Sequence, residues 1–195
     1  MEITMTAEDH KLRTARSYKL ILLFAMVSMT MMFAGLTSAY VVSQSRADWL
    51  KNFELPSAFF ASTIAILGCS VTFHLAKKAI QKDEISKTTT FLLATLALGI
   101  AFVVLQFVGF GQIVANGYYF TGSASTITTT FLYLVVVVHL LHLAGGMISL
   151  LVIIYNHFKQ KYNSTQTLGI ELGAMYWHFL DFLWLYLFLF LYFFK

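Results

Sequence analysis

Residues 126–155 read TITTTFLYLVVVVHLLHLAGGMISLLVIIY, a stretch without a single Asp, Glu, Lys or Arg. A helix needs about 20 predominantly apolar residues to cross the hydrocarbon core of a bilayer, which is ~30 Å thick. This stretch is therefore long and apolar enough to span a membrane. Its apolar residues are continuous and do not alternate with polar ones, which favours a helix over a strand of a membrane β-barrel.

Four further stretches have the same character. Together they predict five spanning helices, at about residues 18–42, 55–76, 90–112, 126–155 and 172–194. The chain of 195 residues is 58% hydrophobic and 11% charged, whereas about a quarter of a soluble domain is charged. This composition excludes a water-soluble globule and a disordered chain. We predict an all-α, polytopic integral membrane protein with a single domain over residues 1–195, and we expect the first span to be retained because its apolar core is longer than that of a signal peptide.

Positive charges are unevenly divided between the two sides that five spans would create. Ten of them flank the first helix or lie in the second and fourth loops: Lys11, Arg13, Arg16, Lys19, Lys77, Lys78, Lys82, Lys87, Lys159 and Lys161. Three lie on the other side: Arg46, Lys51 and Lys195. Because Lys and Arg accumulate in cytoplasmic loops, this asymmetry predicts the N-terminus inside and the C-terminus outside. The pI of about 9.1 is thus an orientation signal, and we expect no nucleic-acid partner.

Polar residues in the second and third predicted helices have structural interpretations. The chain has one cysteine, which excludes a disulfide framework and a Cys-rich metal site. We expect Cys69 to pack as a small apolar residue. Gln106 and Gln112 are expected to make hydrogen bonds between helices, because buried polar groups are usually satisfied by neighbours.

The histidines near the helix ends and the aromatic end of the chain are interpreted as surface features. His10 and His157 lie outside the predicted spans, and we expect both to face solvent. His74 precedes Lys77 at the end of the second span, which is typical of an interfacial residue. The aromatic stretch 179–194 is expected to be bulk that faces lipid.

A candidate site is formed by polar residues in the last two predicted helices, where ionisable groups are costly and need a reason. Residues three apart share a helix face, and residues seven apart are nearly eclipsed. That geometry joins residues of the fourth helix into one stripe and those of the fifth into another. The resulting polar seam consists of His139, His142, Gly146, Glu171, His178 and Asp181.

Two interpretations of this seam are open. In the first, His139, His142 and His178 bind a metal ion or haem, or relay protons with Asp181. In the second, these side chains hydrogen-bond to one another and hold the fourth and fifth helices together. The ligand count is short, because neither Cys nor a carboxylate shares the stripe of the fourth helix, and this favours the structural interpretation. The residues alone thus predict a five-helix bundle without an active site, which is typical of a partner of a catalytic protein.

The last helix carries a resemblance to a known family. Residues 169–184, GIELGAMYWHFLDFLW, resemble the signature YWHFxDxxWL of subunit III of haem–copper terminal oxidases. The matching residues are Tyr176, Trp177, His178, Phe179, Asp181, Trp184 and Leu185, preceded by Glu171. His139, His142 and Gly146 resemble the family's HxxHxxxG, and residues 33–40, FAGLTSAY, resemble its FAGLxSAY. The resemblance covers nearly the whole chain in order.

The resemblance implies a short, five-span bacterial form of subunit III, in the inner membrane of the cell. Members of the family pack against the large subunit I, which holds the haems and copper, and associate with subunit II and other respiratory subunits. The complex reduces dioxygen to water and pumps protons. Subunit III is thought to support proton uptake, to protect the catalytic centre during turnover and to hold phospholipid. The implied chain therefore has no catalytic residue, haem or copper of its own, and the cytochrome c type of oxidase is favoured.

The sequence departs from the family's pattern at two positions, and three other assignments of the chain are open. Family members often carry a Ser-Glu pair in the helix that matches the first span, whereas this chain has Ser28 and Met29, so no role of that carboxylate is carried over. Leu140 stands where many members have Gly. The alternatives are a subunit III-like protein of a quinol oxidase or nitric oxide reductase, a stand-alone haem-binding protein that uses His142 and His178, and a small transporter. The transporter is disfavoured because inverted repeats and helices broken at mid-membrane are missing.

Overall fold

A computed structural model describes residues 7–50, 54–122 and 125–194 of the chain. In these ranges it contains five α-helices and a short 3-10 helix, Ser43–Ser45. The α-helices are α1 (Ala7–Val42), α2 (Ser57–Gln81), α3 (Ile85–Ala115), α4 (Ile127–Phe158) and α5 (Leu168–Phe193). All five are long and apolar enough to cross a membrane. The predicted fold class and the number of spans are thereby confirmed.

The helices extend beyond most of the predicted spans. α1 begins at Ala7 and α2 ends at Gln81, whereas hydropathy placed these ends at residues 18 and 76. The 36 residues of α1 give a helix about 54 Å long at 1.5 Å per residue, which exceeds the ~40–45 Å of a bilayer with its headgroups. Hydropathy marks only the apolar part of a helix, and the backbone hydrogen bonds continue through the polar turns that follow it.

Side chains and turn geometry define the helix ends. α4 begins at a capping box, in which the backbone N–H of Thr129 donates to the Thr126 side chain, and that of Thr126 donates to the Thr129 hydroxyl. Pro56 precedes α2 with a φ of −53°, which suits the entry to a helix because proline has no N–H to leave unpaired.

Contacts between loops show which loops share a side of the bundle. Asp83, in the turn between α2 and α3, accepts a hydrogen bond of 2.7 Å from the backbone N–H of Ser164, in the loop between α4 and α5. At the opposite side, the N–H of Leu50 donates to the hydroxyl of Thr128 at 3.0 Å. The second and fourth loops therefore lie together, as the five-span topology requires.

α5 is the central helix of the bundle and packs against α1, α2 and α4. Half of an apolar 18-residue stretch of α5 is buried inside the bundle, compared with 17% of the corresponding stretch of α1. Trp184 is fully buried and Phe188 is 8% exposed, so the expectation that residues 179–194 are bulk facing lipid is wrong for one face of the helix. Phe182 and Phe193, on the other face, are about 70% exposed. A helix in contact with three neighbours buries its large aromatics irrespective of their affinity for lipid.

Glycines allow the closest contacts between helices. The ring of Phe59 in α2 lies against the backbone of α3 at Gly109, and Ile153 in α4 lies against α5 at Gly173. A Cβ atom at either glycine would overlap these side chains. Small residues at such points let helices approach closely in lipid, where packing takes the place of the hydrophobic drive.

Candidate functional site

His139 lies at the centre of an aromatic cage. It is fully buried, and its ring centroid is 6.5 Å from that of Phe33 in α1, 6.1 Å from that of Phe102 in α3 and 5.2 Å from that of Trp184 in α5. Neither ring nitrogen has a hydrogen-bond partner among the described residues. The ring therefore acts as a packing group that joins four helices.

His142 and Gly146 continue the same face of α4 in different surroundings. The half-buried ring of His142 makes a 2.8 Å hydrogen bond from Nδ1 to the carbonyl oxygen of Val138, one turn earlier on α4. Its own carbonyl oxygen accepts a 3.0 Å hydrogen bond from the hydroxyl of Tyr176 in α5. At Gly146 the ring of Trp177 comes within the distance at which a Cβ atom would touch it. This stripe thus forms a contact between α4 and α5.

His178 faces α2 instead of α4. Its Nδ1 lies 2.6 Å from the hydroxyl oxygen of Ser70, and its ring centroid is 6.3 Å from that of His74, one turn along α2. Val71 and Leu75 complete a groove of about 310 Å³ around these three side chains. His178 is half-buried, so one side of its ring is open to this groove.

Asp181 lies one turn after His178 on α5 and is 3% exposed. Neither of its carboxyl oxygens has a hydrogen-bond partner within the described residues. Its polar neighbours are the Ser70 hydroxyl and the Cys69 thiol of α2. An acid in these surroundings has lost its contact with water and has gained no cation in exchange.

Glu171 is separate from the other acid. Its Oε2 lies 2.7 Å from Nζ of Lys19 in α1, and its Oε1 accepts a 2.7 Å hydrogen bond from the hydroxyl of Thr167. Both oxygens are thereby satisfied near the first turn of α5. The carboxylate joins the peripheral helix α1 to the central helix.

The predicted seam is therefore divided between two sides of α5. The expected hydrogen bonds among His139, His142, His178 and Asp181 do not form, because the α5 residues point toward α2 while the α4 residues point toward α1, α3 and the opposite face of α5. In the described part of the chain no three His, Cys, Asp or Glu side chains are placed to hold a metal ion together. The arrangement can pack helices, but it does not bring His142 and His178 to a common ligand.

The expectations for Gln106, Gln112 and Cys69 are confirmed. Nε2 of Gln106 donates to the Ser62 hydroxyl at 2.9 Å, and Oε1 of Gln112 accepts from the backbone N–H of Ala58 at 3.3 Å. Both bonds join α3 to α2. Cys69 is fully buried, with its thiol 3.6 Å from the carbonyl oxygen of Thr95.

The expectation for His157 is wrong. α4 continues to Phe158, past the predicted end at residue 155, and this extension places His157 against the first turns of α3. The ring is 3% exposed, and its Nε2 lies 2.8 Å from the hydroxyl of Thr89. His10 is exposed, as predicted. His74 is also exposed, although its place beside His178 was not predicted.

Four residues of this site were missed by sequence reasoning. Ser70 is the partner of His178, and Lys19 is the partner of Glu171. The Thr63 hydroxyl accepts a 3.0 Å hydrogen bond from the indole N–H of Trp184. Thr37 lies 2.9 Å from the hydroxyl of Tyr186, joining α1 to α5. Three of the four carry hydroxyl groups, and such residues are frequent in membrane helices. Only their position deep within an apolar stretch could have indicated that they bond to another helix.

The signature residues of α5 serve mainly to pack the bundle. Trp177 and Trp184 are among the largest fully buried side chains, and Tyr176 binds the backbone of α4. Trp177 lies within contact distance of Gly99 in α3 and Gly146 in α4. The motif thus places large side chains against α3 and α4.

Comparison with known proteins identifies the family. A sequence model of the family described as "Cytochrome c oxidase subunit III" matches residues 1–195. The chain is 32% identical over 143 residues to "Cytochrome c oxidase subunit 3" of Spodoptera frugiperda, covering 72% of this chain and 89% of that protein. It is 31% identical over 146 residues to the protein of that name from Petromyzon marinus, covering 73% of this chain and 51% of the relative.

A third relative matches along almost its entire length. It is "Cytochrome c oxidase subunit 3" of Thermostichus vulcanus, 26% identical over 193 residues, which covers 97% of this chain and 93% of that protein. The chain spans about half the length of several curated relatives and nearly all of this one. Since the family match extends over the whole sequence, the chain belongs to the cytochrome c oxidase subunit III family.

Proposed function

We propose that this chain is the non-catalytic subunit III of a proton-pumping haem–copper terminal oxidase of the cytochrome c type, in a bacterial inner membrane. The observation that carries the proposal is the family match over residues 1–195. The names of the relatives support cytochrome c as the donor. In this role the chain packs on subunit I, associates with subunit II, and contributes to proton uptake and to the stability of the complex.

The haems and copper of this complex belong to the partner subunits, and the chain holds none of them. The placement of the histidines supports this part of the proposal. His139 is enclosed by aromatic rings, His142 bonds to its own helix, and His178 bonds to Ser70 of α2. Ligation of a haem by two histidines needs ring nitrogens that converge on one iron atom, and these rings have different neighbours.

A phospholipid site at the N-terminal end of α1 is a further part of the role. The first turns of α1 and the loop before α5 enclose a cleft of about 1030 Å³. Lys11, Lys19 and Lys161 line it together with Glu8 and Glu171. Lys19 is neutralised by Glu171. Lys11 and Lys161 outnumber the remaining carboxylate of Glu8, and the net positive charge attracts an anionic headgroup.

The lipid site is tested by substitution of these two cations. We expect the Lys11→Gln, Lys161→Gln double variant to retain less anionic phospholipid per chain after detergent purification, measured by lipid mass spectrometry. Lys78→Gln is the matched control, because Lys78 is exposed on α2 and does not line the cleft. Equal retention by both variants would exclude the cleft as the site.

The complex itself is tested by isolation of the tagged chain. Native membranes are extracted in mild detergent, and the polypeptides that co-purify in stoichiometric amounts are identified by mass spectrometry. We expect a large polytopic subunit together with a haem spectrum, and the companion subunits identify the electron donor. Recovery of the chain alone, or as a homo-oligomer, would refute the assignment; a haem spectrum from that chain alone would favour a stand-alone haem protein.

A deletion strain tests the supporting role. An oxidase that lacks this chain should begin to reduce oxygen at a rate close to that of the complete complex, since the catalytic groups lie elsewhere. Its activity should then decline during turnover faster than that of the complete enzyme. Oxygen consumption by the purified complexes measures both quantities. Immediate loss of all activity in an otherwise complete complex would contradict a non-catalytic role.

A further inference from the structure

The groove between α2 and α5 brings two histidine side chains together. Ser70, Val71, His74 and Leu75 of α2 line it with His178 of α5. Ser70 and His74 are four residues apart and therefore share one face of α2, the face that meets His178. His74 is exposed and His178 is half-buried, so a ligand can reach both rings from outside the bundle.

The distance between the two rings suits a shared metal ion. Their centroids are 6.3 Å apart, with an angle of 52° between the ring planes. Two imidazoles that bind one Zn²⁺ ion through bonds of ~2.1 Å have centroids about 5–6 Å apart. A small rotation of the exposed His74 side chain closes this difference, and the backbones of α2 and α5 need not move.

Ser70 orients the His178 ring for this role. The Ser70 hydroxyl oxygen lies 2.6 Å from Nδ1 of His178. When Nδ1 carries the proton and donates it to this oxygen, the lone pair of the neutral ring is on Nε2. Histidines that bind metals are commonly held by such a hydrogen bond at the other nitrogen, which fixes the tautomer and the orientation of the ring. The contact therefore leaves Nε2 of His178 as the nitrogen for a metal ion.

The two rings lie close to the lysine-rich end of α2. Lys77 and Lys78 follow His74 by one turn, and α2 ends at Gln81. Lysines near the end of a spanning helix extend their ammonium groups toward water, so a metal ion can enter here from the aqueous side. Their positive charge opposes a cation, and two protein ligands leave the other coordination positions to water. These conditions favour a weakly held, exchangeable ion.

We propose that His74 and His178 bind an exchangeable transition-metal ion such as Zn²⁺, which joins α2 to α5, and that Ser70 is a positioning residue of this site. Imidazole nitrogens suit Zn²⁺, Cu²⁺ and Ni²⁺, whereas Mg²⁺ and Ca²⁺ prefer oxygen ligands. Zn²⁺ is the suitable probe because it has no redox chemistry. The site is separate from the haems and copper of the proposed complex, and the inference does not depend on that complex.

Zinc titration of the purified full chain tests the site. The chain is isolated without a polyhistidine tag, because such a tag binds Zn²⁺ itself. An ion that binds only the folded chain stabilises it, so Zn²⁺ should raise the thermal unfolding midpoint, and Mg²⁺ at the same concentration should not. In His74→Gln and His178→Gln, the Zn²⁺ concentration that produces half of this shift should rise by more than about tenfold. His10→Gln is the matched control, since His10 is exposed on α1 and does not line the groove.

Comparison of each variant with and without metal separates binding from packing. A substitution that only weakens the fold lowers the midpoint in both conditions and leaves the Zn²⁺-dependent shift unchanged. Ser70→Ala keeps both imidazoles and should weaken binding about tenfold; an unchanged titration would overturn the positioning role of Ser70. X-ray absorption at the zinc edge should show two imidazole ligands in the wild type. Equal titrations of the wild type and both histidine variants, or a spectrum without imidazole ligands, would overturn the proposal.

Discussion

Gly146 shows how a single missing Cβ atom determines a contact between helices. A Cβ atom there would lie 2.9 Å from Cδ1 of Leu180 and 3.5 Å from the ring of Trp177, both of them buried in α5. Gly146→Ala should therefore displace the buried Leu180 side chain and lower the free energy of unfolding by about 1–3 kcal/mol, the usual cost of overpacking. The thermal unfolding midpoint of the detergent-solubilised chain measures this change.

The neighbouring glycine provides the control for that prediction. A Cβ atom at Gly145 would lie 3.6 Å from the hydroxyl of Tyr176, an ordinary van der Waals distance. Ala is favoured over Gly in a helix interior by up to about 1 kcal/mol, so Gly145→Ala should leave the midpoint unchanged or raise it. If both variants lost the same stability, the close approach at Gly146 would not be the cause.

Asp83 combines an unusual backbone conformation with a contact between loops. Its φ is +56°, and its side chain accepts the 2.7 Å hydrogen bond from Ser164. Asp83→Ala should cost about 1–3 kcal/mol, because a left-handed conformation strains an alanine and the hydrogen bond is lost. At this chain length a loss of 1 kcal/mol lowers the unfolding midpoint by roughly 2–4 °C.

Asp83→Asn separates these two effects from the negative charge. Asn tolerates the left-handed region and keeps an oxygen that can accept the bond, so its unfolding midpoint should stay close to that of the wild type. A drop as large as that of Asp83→Ala would mean that the charge of Asp83, and neither its backbone nor its hydrogen bond, stabilises the turn.

At the scale of elements, α1 is held to the bundle by a polar contact near each end. The Lys19–Glu171 ion pair lies near its N-terminal end, and the Thr37–Tyr186 bond lies near its C-terminal end. An ion pair whose Lys side chain is 41% exposed is worth at most about 1 kcal/mol. We expect Lys19→Gln to speed hydrogen exchange in the first turns of α1 only, and Tyr186→Phe to speed it in the last turns only.

Hydrogen exchange with mass spectrometry measures these local changes. Arg16→Gln is the control for the first contact, because Arg16 lies one turn before Lys19 on α1, does not line the cleft of the proposed lipid site, and is in no ion pair of the described residues. An exchange profile that changes along the whole of α1 in either variant would show that α1 detaches as a unit, contrary to the prediction of two independent contacts.

The elements were predictable from the sequence, while their neighbours were not. Continuous apolar stretches indicated five helices because a bilayer requires about 20 such residues in each. The spacing of His139, His142 and Gly146 places them on one face of a helix. That spacing could not show that His178 contacts Ser70 of α2, because periodicity defines a face but not the helix against which it packs.

At the scale of the whole molecule, the contacts between loops establish which segments share a side. The Asp83–Ser164 bond joins the second loop to the fourth, and both are rich in lysine. Lys51 and Lys195, which the sequence assigns to the other side, lie outside the described residues. Arg46 lies on that other side, in the loop after α1, where its Nε is 3.0 Å from Oδ1 of Asp48. From the positive-inside rule we predict that the second and fourth loops lie in the cytoplasm.

Cysteine labelling tests that orientation in intact cells. The native thiol of Cys69 is fully buried, and Cys69→Ala provides a background without it. Thr121→Cys in the third loop and Ser164→Cys in the fourth are both exposed positions. We expect a membrane-impermeant maleimide added outside to label the first and spare the second, because a charged reagent cannot cross the hydrocarbon core.

Permeabilised cells supply the control, since both cysteines should then react and thereby prove accessible. The reverse pattern in intact cells would invert the topology and would place all ten counted cations of the lysine-rich side outside, against the bias that normally sets orientation. Labelling at both positions would be incompatible with five spans, because Thr121 and Ser164 are separated by α4 alone.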